Sequence, residues 1–415
     1  MDDDLVVGLD VGTSKVCAII GVRGEDGDLK ITGVGEAPSQ GLRKGVVVNI
    51  ETVLGSISQA IENAELMSGR IVKACWAGIG GSHIESRISR GVVAVNGKNR
   101  DPREISHNDV ARALEAARAV DFPMDREILD VIPQTYIVDS QRGIRDPLDM
   151  IGVRLECEVN IITCAQTGMQ NLAKCFNRAG FNVEGFLLQP LAAGRAVLND
   201  EEKELGVILI DLGGGTSNVL VYQQGAAHAS ASVLAGGSQV SGDISIVKNV
   251  SMDTAEKIKI EAGCCWEDLL ENDAEIVVQG IGGRAPFSIM RSELVRIIRP
   301  RMEETFMMIK KKLNSLNIAK PLGAGIVLTG GGANLLGVCD LAAEVFRMPV
   351  RLGLPAPVGG LEKEYRDCRY ATAVGLVLEG NDRIAAAYGG ERPVVASGGV
   401  SIFTRLRDWV RKEFF

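Results

Sequence analysis

Two stretches of the chain repeat the same order of parts, and this repeat constrains the fold more than any other feature. Each stretch has an apolar run, one aspartate, a glycine-containing turn that ends in Gly-Thr-Ser, and a second apolar run. They span residues 5–20, with Asp10, and residues 207–222, with Asp211. Branched apolar residues favour strands and glycines favour tight turns, so each stretch predicts a β-hairpin. The repeat predicts two related half-molecules that present matching turns to one shared ligand.

The two turns carry the chemistry of a phosphate site. Glycines let backbone N–H groups approach an anion, and hydroxyl groups add donors. The residues concerned are Gly12, Thr13, Ser14, Gly213, Gly214, Gly215 and Thr216. Asp10 and Asp211 would repel a phosphate unless a cation lay between them, which predicts Mg²⁺ held through water. A P-loop is excluded because a strand follows the glycines and no Gly-Lys-Ser/Thr closes them. An ordinary hairpin turn is the alternative, and two copies in register argue against it.

A third glycine-rich turn lies near the C-terminal end. Residues 325–329 predict a strand that runs into Gly330, Gly331 and Gly332, and the sequence predicts a helix over 334–346. Strand, glycines and helix in this order place backbone N–H groups at a helix N-terminus, where they can face a ligand. A simple packing turn is the alternative.

Three predicted helices hold further candidate residues. Gln189 begins a helix and could orient an attacking water, or it could simply face solvent. A helix from Asp253 carries Glu256 and Lys257, which could contact a base or ribose or form a solvated face. Residues 288–312 predict a long amphipathic helix with many basic residues. That helix indicates either a solvated face or a docking surface for an acidic partner.

Composition narrows the classes of function. A chain of 415 residues is expected to split into two or more domains, and its net charge of -8 argues against nucleic-acid binding. Nine cysteines without a CxxC pair favour a reducing cytoplasm. Because the chain has three histidines in all, its sequence argues against a metal site built from histidines. The acidic start lacks a signal-peptide pattern, and no apolar run is long enough to predict a membrane span.

Two segments depart from the repeated pattern. Residues 84–160 have their own apolar pattern and predict an inserted β-α-β-β subdomain. Residues 386–400 are rich in Gly, Pro and Ser and predict a flexible linker, which leads to an amphipathic helix over 401–415. The apolar side of that helix has Ile402, Phe403, Leu406, Trp409, Val410 and Phe414, and the basic residues on or near its other side include Arg405, Arg411 and Lys412. At roughly 22 Å it is too short to cross a bilayer, so we expect it to lie in the membrane interface. Docking on the protein's own core is the alternative.

Three motifs together resemble those of the actin, sugar-kinase and heat-shock-chaperone ATPase superfamily. Asp10 to Thr13, residues 211–216 and residues 329–332 resemble its phosphate 1, phosphate 2 and adenosine motifs. Within it, the chain closely resembles the FtsA family of bacterial cell-division proteins, most specifically in residues 147–156, residues 189–194 and the C-terminal tail. The resemblance implies an α/β, actin-like ATPase fold with two duplicated lobes around a nucleotide cleft.

The resemblance also implies a division of the chain into parts. The first lobe core would comprise 1–83, 161–197 and 360–385, and the insert 84–160. The second lobe core would comprise 198–227 and 309–359, with a small subdomain over 228–308.

For the cleft, the resemblance implies ATP and Mg²⁺. Lys15 and Gly236 would join the phosphate residues, and Glu256, Lys257 and the glycines at 330–332 would hold the adenosine. Gln189 would sit near the attacking water, with Asp10 and Asp211 placing the metal through water. We expect slow hydrolysis at most, with ATP acting mainly as a ligand for conformation and assembly.

For partners, the resemblance implies filament formation and a tether between the division protein FtsZ and the inner face of the cytoplasmic membrane at the division site. The small subdomain would dock the C-terminal tail of FtsZ, with Arg301 at a basic family position, and the insert would contact other copies and later division proteins. Two rival interpretations stay open. One is a sugar-type kinase of the same fold, and the other is a pilus-assembly adaptor of the same superfamily.

Overall fold

The computed structural model describes residues 4–24, 27–95, 101–270, 273–278, 285–316, 318 and 321–388. The predicted membrane helix over 401–415, and the predicted linker beyond residue 388, lie outside the described residues. Among the described helices, none combines the length and the apolar character that a membrane span requires.

The first lobe begins with a meander of three strands. Its first elements are β1 (Leu5–Val11), β2 (Lys15–Arg23), β3 (Leu29–Pro38), β4 (Leu42–Arg43), β5 (Val46–Val47), α1 (Ile50–Ser68) and β6 (Ala74–Ile79). β1 and β2 form the predicted first hairpin and pair antiparallel along their length. The side chain of Asn49 caps α1 by accepting a hydrogen bond from the backbone N–H of Thr52, and the helix ends at Gly69 in the left-handed conformation.

The insert is a small sheet covered by one helix. Its elements are β7 (Glu85–Ala94), β8 (Arg103–Glu104), α2 (His107–Arg118), β9 (Arg126–Val138), β10 (Gln141–Ile144), β11 (Ile151–Gly152) and β12 (Arg154–Ala165). Its main sheet has the order β10-β9-β12-β7, all antiparallel. Ser106 and Asp109 form a capping box at the start of α2. If the short strands β8, β10 and β11 are left aside, the remaining elements β7, α2, β9 and β12 form the expected β-α-β-β unit.

The rest of the chain completes the first lobe and builds the second. Its elements are α3 (Gln166–Arg178), β13 (Asn182–Leu188), α4 (Gln189–Val197), α5 (Asp200–Leu205), β14 (Val207–Leu212), β15 (Ser217–Gln223), β16 (Ala226–Val233), α6 (Gly237–Lys248), α7 (Met252–Ala262), β17 (Glu275–Val278), β18 (Phe287–Met290), α8 (Arg291–Asn314), β19 (Ile326–Thr329), α9 (Val338–Phe346), β20 (Val350–Leu352) and α10 (Ala371–Tyr388). α10 therefore extends three residues into the predicted linker.

The two large sheets have the same topology. The order is β13-β6-β1-β2-β3 in the first lobe and β20-β19-β14-β15-β16 in the second. In each sheet, three strands form an antiparallel meander and two more add in parallel beside its first strand. Every residue of β14 and β15 is buried, as expected for strands covered on both faces. The structure confirms the duplicated α/β architecture that the repeat predicted.

α4 and α10 lie between the sheets, in one apolar cluster with residues of both lobes. Their backbones approach so closely that a Cβ atom at Gly375 would lie 1.7 Å from the carbonyl oxygen of Ala192. Ordinary van der Waals contact begins at 3.4 Å. The small residues of the two helices therefore allow a packing distance that no larger side chain at Gly375 would permit.

Two predicted helix starts were wrong. The helix predicted over 288–312 begins at Arg291, because Phe287–Met290 form β18. α9 begins at Val338, not near residue 334, and Gly331–Asn334 form a separate turn of 3-10 helix. Gly330 and Gly337 have φ of 81° and 80°, a left-handed conformation that interrupts a regular helix. Gly330 consequently precedes a 3-10 turn, Gly331 and Gly332 lie in it, and none of the three is at the N-terminus of α9.

Candidate functional site

The turns of the two hairpins face each other. Each is closed in the same way, by a hydrogen bond from Gly12 N–H to the Lys15 carbonyl at 2.9 Å and from Gly213 N–H to the Thr216 carbonyl at 3.0 Å. A Cβ atom on Gly214 would lie 1.8 Å from Ser14 Oγ. The two turns are thus in direct contact across the lobes, and a side chain at Gly214 would require Ser14 to move.

A cavity of about 450 Å³ opens between the lobes at these turns. Most of the predicted site residues line it: Asp10, Gly12, Thr13, Ser14, Lys15, Gln189, Asp211, Gly213, Gly214, Thr216, Gly236, Glu256, Gly330, Gly331 and Gly332. Two predicted residues are placed elsewhere. Gly215 faces Thr13, and Lys257 is exposed on α7. The cleft is the place where residues from distant parts of the sequence meet.

Two carboxyl groups lie at the bottom of the cleft, at the ends of β1 and β14. Gln189 Nε2 donates a hydrogen bond of 2.7 Å to Asp10 Oδ1. Burial raises the pKa of Asp10, although Lys15 and this hydrogen bond oppose the rise. Burial and the nearby charge of Asp10 raise the pKa of Asp211 to about 7, against a hydrogen bond from Asn218. Two buried acidic groups, one of which raises the pKa of the other, form a place where a cation is favoured.

The carboxyl pair is better suited to a Mg²⁺ ion that phosphate oxygens also bind than to a metal ion held by protein side chains alone. Within the described ranges, no group of three or more His, Cys, Asp or Glu side chains could hold a metal ion. Mg²⁺ usually keeps waters and binds through one or two carboxylates together with phosphate oxygens. Asp10 and Asp211 supply those carboxylates beside glycine turns that can receive the phosphates.

α6 begins directly against the second turn. The N–H groups of Gly237 and Ser238 donate to the carbonyls of Gly213 and Gly214 at 2.9 and 2.8 Å. A Cβ atom on Gly236 would lie 2.4 Å from the Gly213 carbonyl oxygen. These contacts hold the second turn in place but also occupy the first N–H groups of α6.

A polar cluster lies between α6 and α7, and the sequence predicted only part of it. Lys259 Nζ lies 3.2 Å from the Gly237 carbonyl oxygen at the start of α6. Lys259 Nζ donates to both carboxylate oxygens of Glu256, at 2.8 and 2.7 Å, and to Ser241 Oγ at 3.1 Å. Lys259 lines the cleft. Residues three apart share a helix face, so the helical period points from Glu256 to Lys259 rather than to Lys257.

Gly330 lies directly against Asp211 of the carboxyl pair. Its φ is 81°, and a Cβ atom there would lie 2.2 Å from Asp211 Oδ1. Glycine is therefore required both by backbone conformation and by proximity.

Lys15 is held at the cleft by two other side chains. Its Nζ lies 2.6 Å from Glu36 Oε1 and 4.1 Å from the centre of the Tyr370 ring. Glu36 was not recognised from the sequence, since nothing local connects it to the first turn.

Arg301, the predicted partner residue, lies on α8. It forms a two-point ion pair with Asp243, with contacts of 2.5 and 3.1 Å, and also contacts Glu304. Its role in docking stays a prediction.

The sequence matches two family models. One, described as the SHS2 domain inserted in FTSA, matches residues 81–163, and the other, cell division protein FtsA, matches residues 208–375. Cell division protein FtsA of Pseudomonas aeruginosa is 40% identical over 414 residues, which cover 99% of this chain and 98% of that protein. FtsA of Borreliella burgdorferi is 42% identical over 416 residues, covering 100% of each chain. FtsA of Escherichia coli K12 is 35% identical over 421 residues, or 100% of this chain and 99% of that one.

Solved structures are similar at the level of fold. A chain of the PilM-PilN type IV pilus biogenesis complex has a TM-score of 0.64 at 17% identity, covering 91% of this chain and 98% of that one. MreB5 of Spiroplasma citri bound to ADP has a TM-score of 0.54 at 14% identity, covering 92% and 98%. Together with the duplicated sheets, these similarities identify the fold as that of the actin-like ATPases.

Proposed function

Because the chain belongs to the family of cell division protein FtsA, we propose that it is an ATP-binding, actin-like protein that tethers FtsZ to the inner face of the cytoplasmic membrane. The observation that supports this most directly is the pair of glycine turns in contact across one cleft. The cleft volume of about 450 Å³ is within the usual range for ligand pockets. A structural relative, MreB5 of Spiroplasma citri, has ADP bound.

The phosphates would be held by the two turns and by Lys15. Asp10 and Asp211 would place Mg²⁺ through water, and the metal would neutralise phosphate charge. Glu256, Lys259 and the glycines at 330–332 would surround the adenosine. The positions of these residues along one continuous cleft support the assignment.

Hydrolysis is expected to be slow. Gln189 would be close to the attacking water, but its side-chain amide is already a donor to Asp10. The two carboxyl groups beside it would be engaged with the metal. We therefore propose that ATP acts mainly on conformation and on assembly into filaments.

The membrane tether would be the helix over 401–415. Its apolar side would enter the interface, and Arg405, Arg411 and Lys412 would meet anionic lipid. FtsZ would dock on the small subdomain near Arg301, and the insert would contact other copies and later division proteins.

Vesicle co-sedimentation with the full chain and a variant ending at residue 400 tests the tether. With vesicles of phosphatidylethanolamine and phosphatidylglycerol, the full chain should sediment, and the shortened variant should stay in the supernatant. Trp409→Glu is a matched point variant that should behave like the truncation. An FtsZ tail peptide should co-sediment only with the full chain. Equal sedimentation of all forms would refute the anchor.

Nucleotide titration tests the cleft. MgATP should bind the full chain and its truncated form equally, since the cleft and the tail are separate parts of the sequence. Phosphorylation of a sugar in the same assay would favour the kinase instead. Failure of both forms to bind MgATP would refute the nucleotide proposal.

A further inference from the structure

Three elements meet at the ammonium group of Lys15. Lys15 begins β2, immediately after the first glycine turn, and Glu36 lies on the adjacent strand β3. Cys17 pairs with Glu36 across these strands, so Lys15 and Glu36 are diagonal neighbours on one face of the sheet. Tyr370 comes from the short 3-10 segment Cys368–Tyr370 that precedes α10. The arrangement depends on the fold, because none of the three segments adjoins another in sequence.

We propose that Glu36 is a positioning residue which, together with Tyr370, holds the Lys15 ammonium at the cleft for contact with the phosphates of a nucleotide. This inference rests on the proposed nucleotide function of the cleft. The Nζ–Oε1 distance is 2.6 Å, and the ammonium lies 4.1 Å from the centre of the Tyr370 ring. Lys15 lines the cleft.

Each partner restrains the lysine in a different way. Lysine has a flexible stem, and fixing such a side chain in one position costs rotamer entropy. The ion pair fixes the end of the stem, and the ring face offers a cation–π contact. An ammonium group has three N–H donors, so capacity for a phosphate oxygen remains after Glu36 has accepted one.

Glu36 is itself held in the charged form. Burial would raise the pKa of its carboxyl, but Lys15 and a hydrogen bond from the Tyr370 hydroxyl outweigh burial, and the pKa is lowered. Tyr370 is 3% exposed and therefore provides a rigid wall for both groups. Arg369 stacks on the same ring, 5.1 Å from its centre, and also lines the cleft. The cluster thus brings two cations to the cleft through one buried ring.

Equilibrium binding to the full chain tests the inference, with MgATP and adenosine as the two probes. Glu36→Gln and Lys15→Met should each weaken MgATP binding about tenfold, the loss expected for one charge-assisted hydrogen bond. Adenosine affinity should not change, because adenosine has no phosphate. The double variant should lose no more than Lys15→Met alone, since Glu36 acts only through Lys15. Glu36→Asp keeps the charge and should recover part of the affinity.

The matched control is Glu344→Gln. Glu344 pairs with Arg299 at 3.0 Å, and Arg299 stacks on Trp266, so the same three types of group meet on the second lobe. This variant should bind MgATP like the unmodified chain.

Each contrary result has a distinct meaning. Tighter MgATP binding by Glu36→Gln would show that Glu36 withholds Lys15 from the ligand, which overturns the inference. Unchanged MgATP binding by Glu36→Gln, or equal losses for MgATP and adenosine, would overturn it as well and leave the nucleotide proposal intact. Failure of the unmodified chain to bind MgATP would overturn both.

Discussion

Replacing Asp211 by Asn should make the nucleotide-free protein more stable at alkaline pH. The carboxyl of Asp211 is buried beside Asp10, and these two causes raise its pKa from 3.8 to about 7. The folded protein therefore keeps the Asp211 proton at pH values where the unfolded chain has lost it. The stabilisation that results is fully present below pH 3.8 and is lost as the pH rises through about 7. Since one pKa unit corresponds to about 1.4 kcal/mol, the loss is about 4 kcal/mol.

Asparagine has nearly the same shape and does not titrate, so Asp211→Asn should not suffer this loss. Its free energy of unfolding should match that of the unmodified chain near pH 4 and exceed it by about 4 kcal/mol at pH 8. Urea unfolding between pH 4 and pH 8, in the presence of EDTA and without nucleotide, measures the difference. Asp121→Asn removes an exposed aspartate after α2 and is the control, for which no growing difference is expected.

Addition of Mg²⁺ and ATP extends the test to the proposed ligand. A cation beside Asp211 would favour its charged form, so the unmodified chain should recover stability at pH 8 and the variant should gain little. If the two unfolding curves run parallel from pH 4 to pH 8, or if the variant is less stable at pH 8, the account of the carboxyl pair is incorrect.

Two further predictions concern packing. Gly375→Ala should destabilise the protein by about 3 kcal/mol, because its Cβ would lie 1.7 Å from the Ala192 carbonyl oxygen. Gly55→Ala, on α1 with no atom within 4 Å of its Cβ, should stabilise by about 0.5–1 kcal/mol, and equal melting temperatures for both variants would refute the close approach. Asn160→Leu should cost about 1–3 kcal/mol, since this buried side chain donates to the Ala227 carbonyl. Thermal unfolding measures that loss, and an unchanged melting temperature would count against it.

The hairpins and the duplicated lobes could be predicted because their signals are local. Residues 207–222 alternate strand, turn and strand without reference to the rest of the chain, and the structure pairs Val207 with Tyr222 as that pattern requires. Apolar residues recur at helical spacing between Glu51 and Met67, which is typical of an amphipathic helix, and α1 is one residue longer at each end. Repetition then extended these local signals to the architecture, because two copies of one pattern predict two halves of the same topology.

The contacts of individual side chains could not be predicted in the same way. The family resemblance assigned Lys15 to phosphate, but its ion pair with Glu36 depends on the register of β2 and β3. Arg301 was assigned to a partner, and the structure gives it a two-point ion pair with Asp243 on another helix. Charge and sequence position indicate what a side chain can bind. They do not indicate which neighbour the fold brings to it.

The insert provides a further set of contacts between the lobes. By chain connection it belongs to the first lobe, yet Gln134 Nε2 donates to the Ala227 carbonyl on β16 of the second lobe at 2.9 Å. Asn160 Nδ2 donates to the same carbonyl at 3.2 Å. The lobes therefore touch at the glycine turns, along α4 and α10, and at this edge of the second sheet. At Gly375 the backbones of α4 and α10 are in contact, with no room for a Cβ atom beside the Ala192 carbonyl. Asn160 is fully buried, so loss of its hydrogen bond to the Ala227 carbonyl would leave a polar group without water to replace the partner. The insert therefore adds buried polar contacts to the apolar contacts that hold the two lobes together.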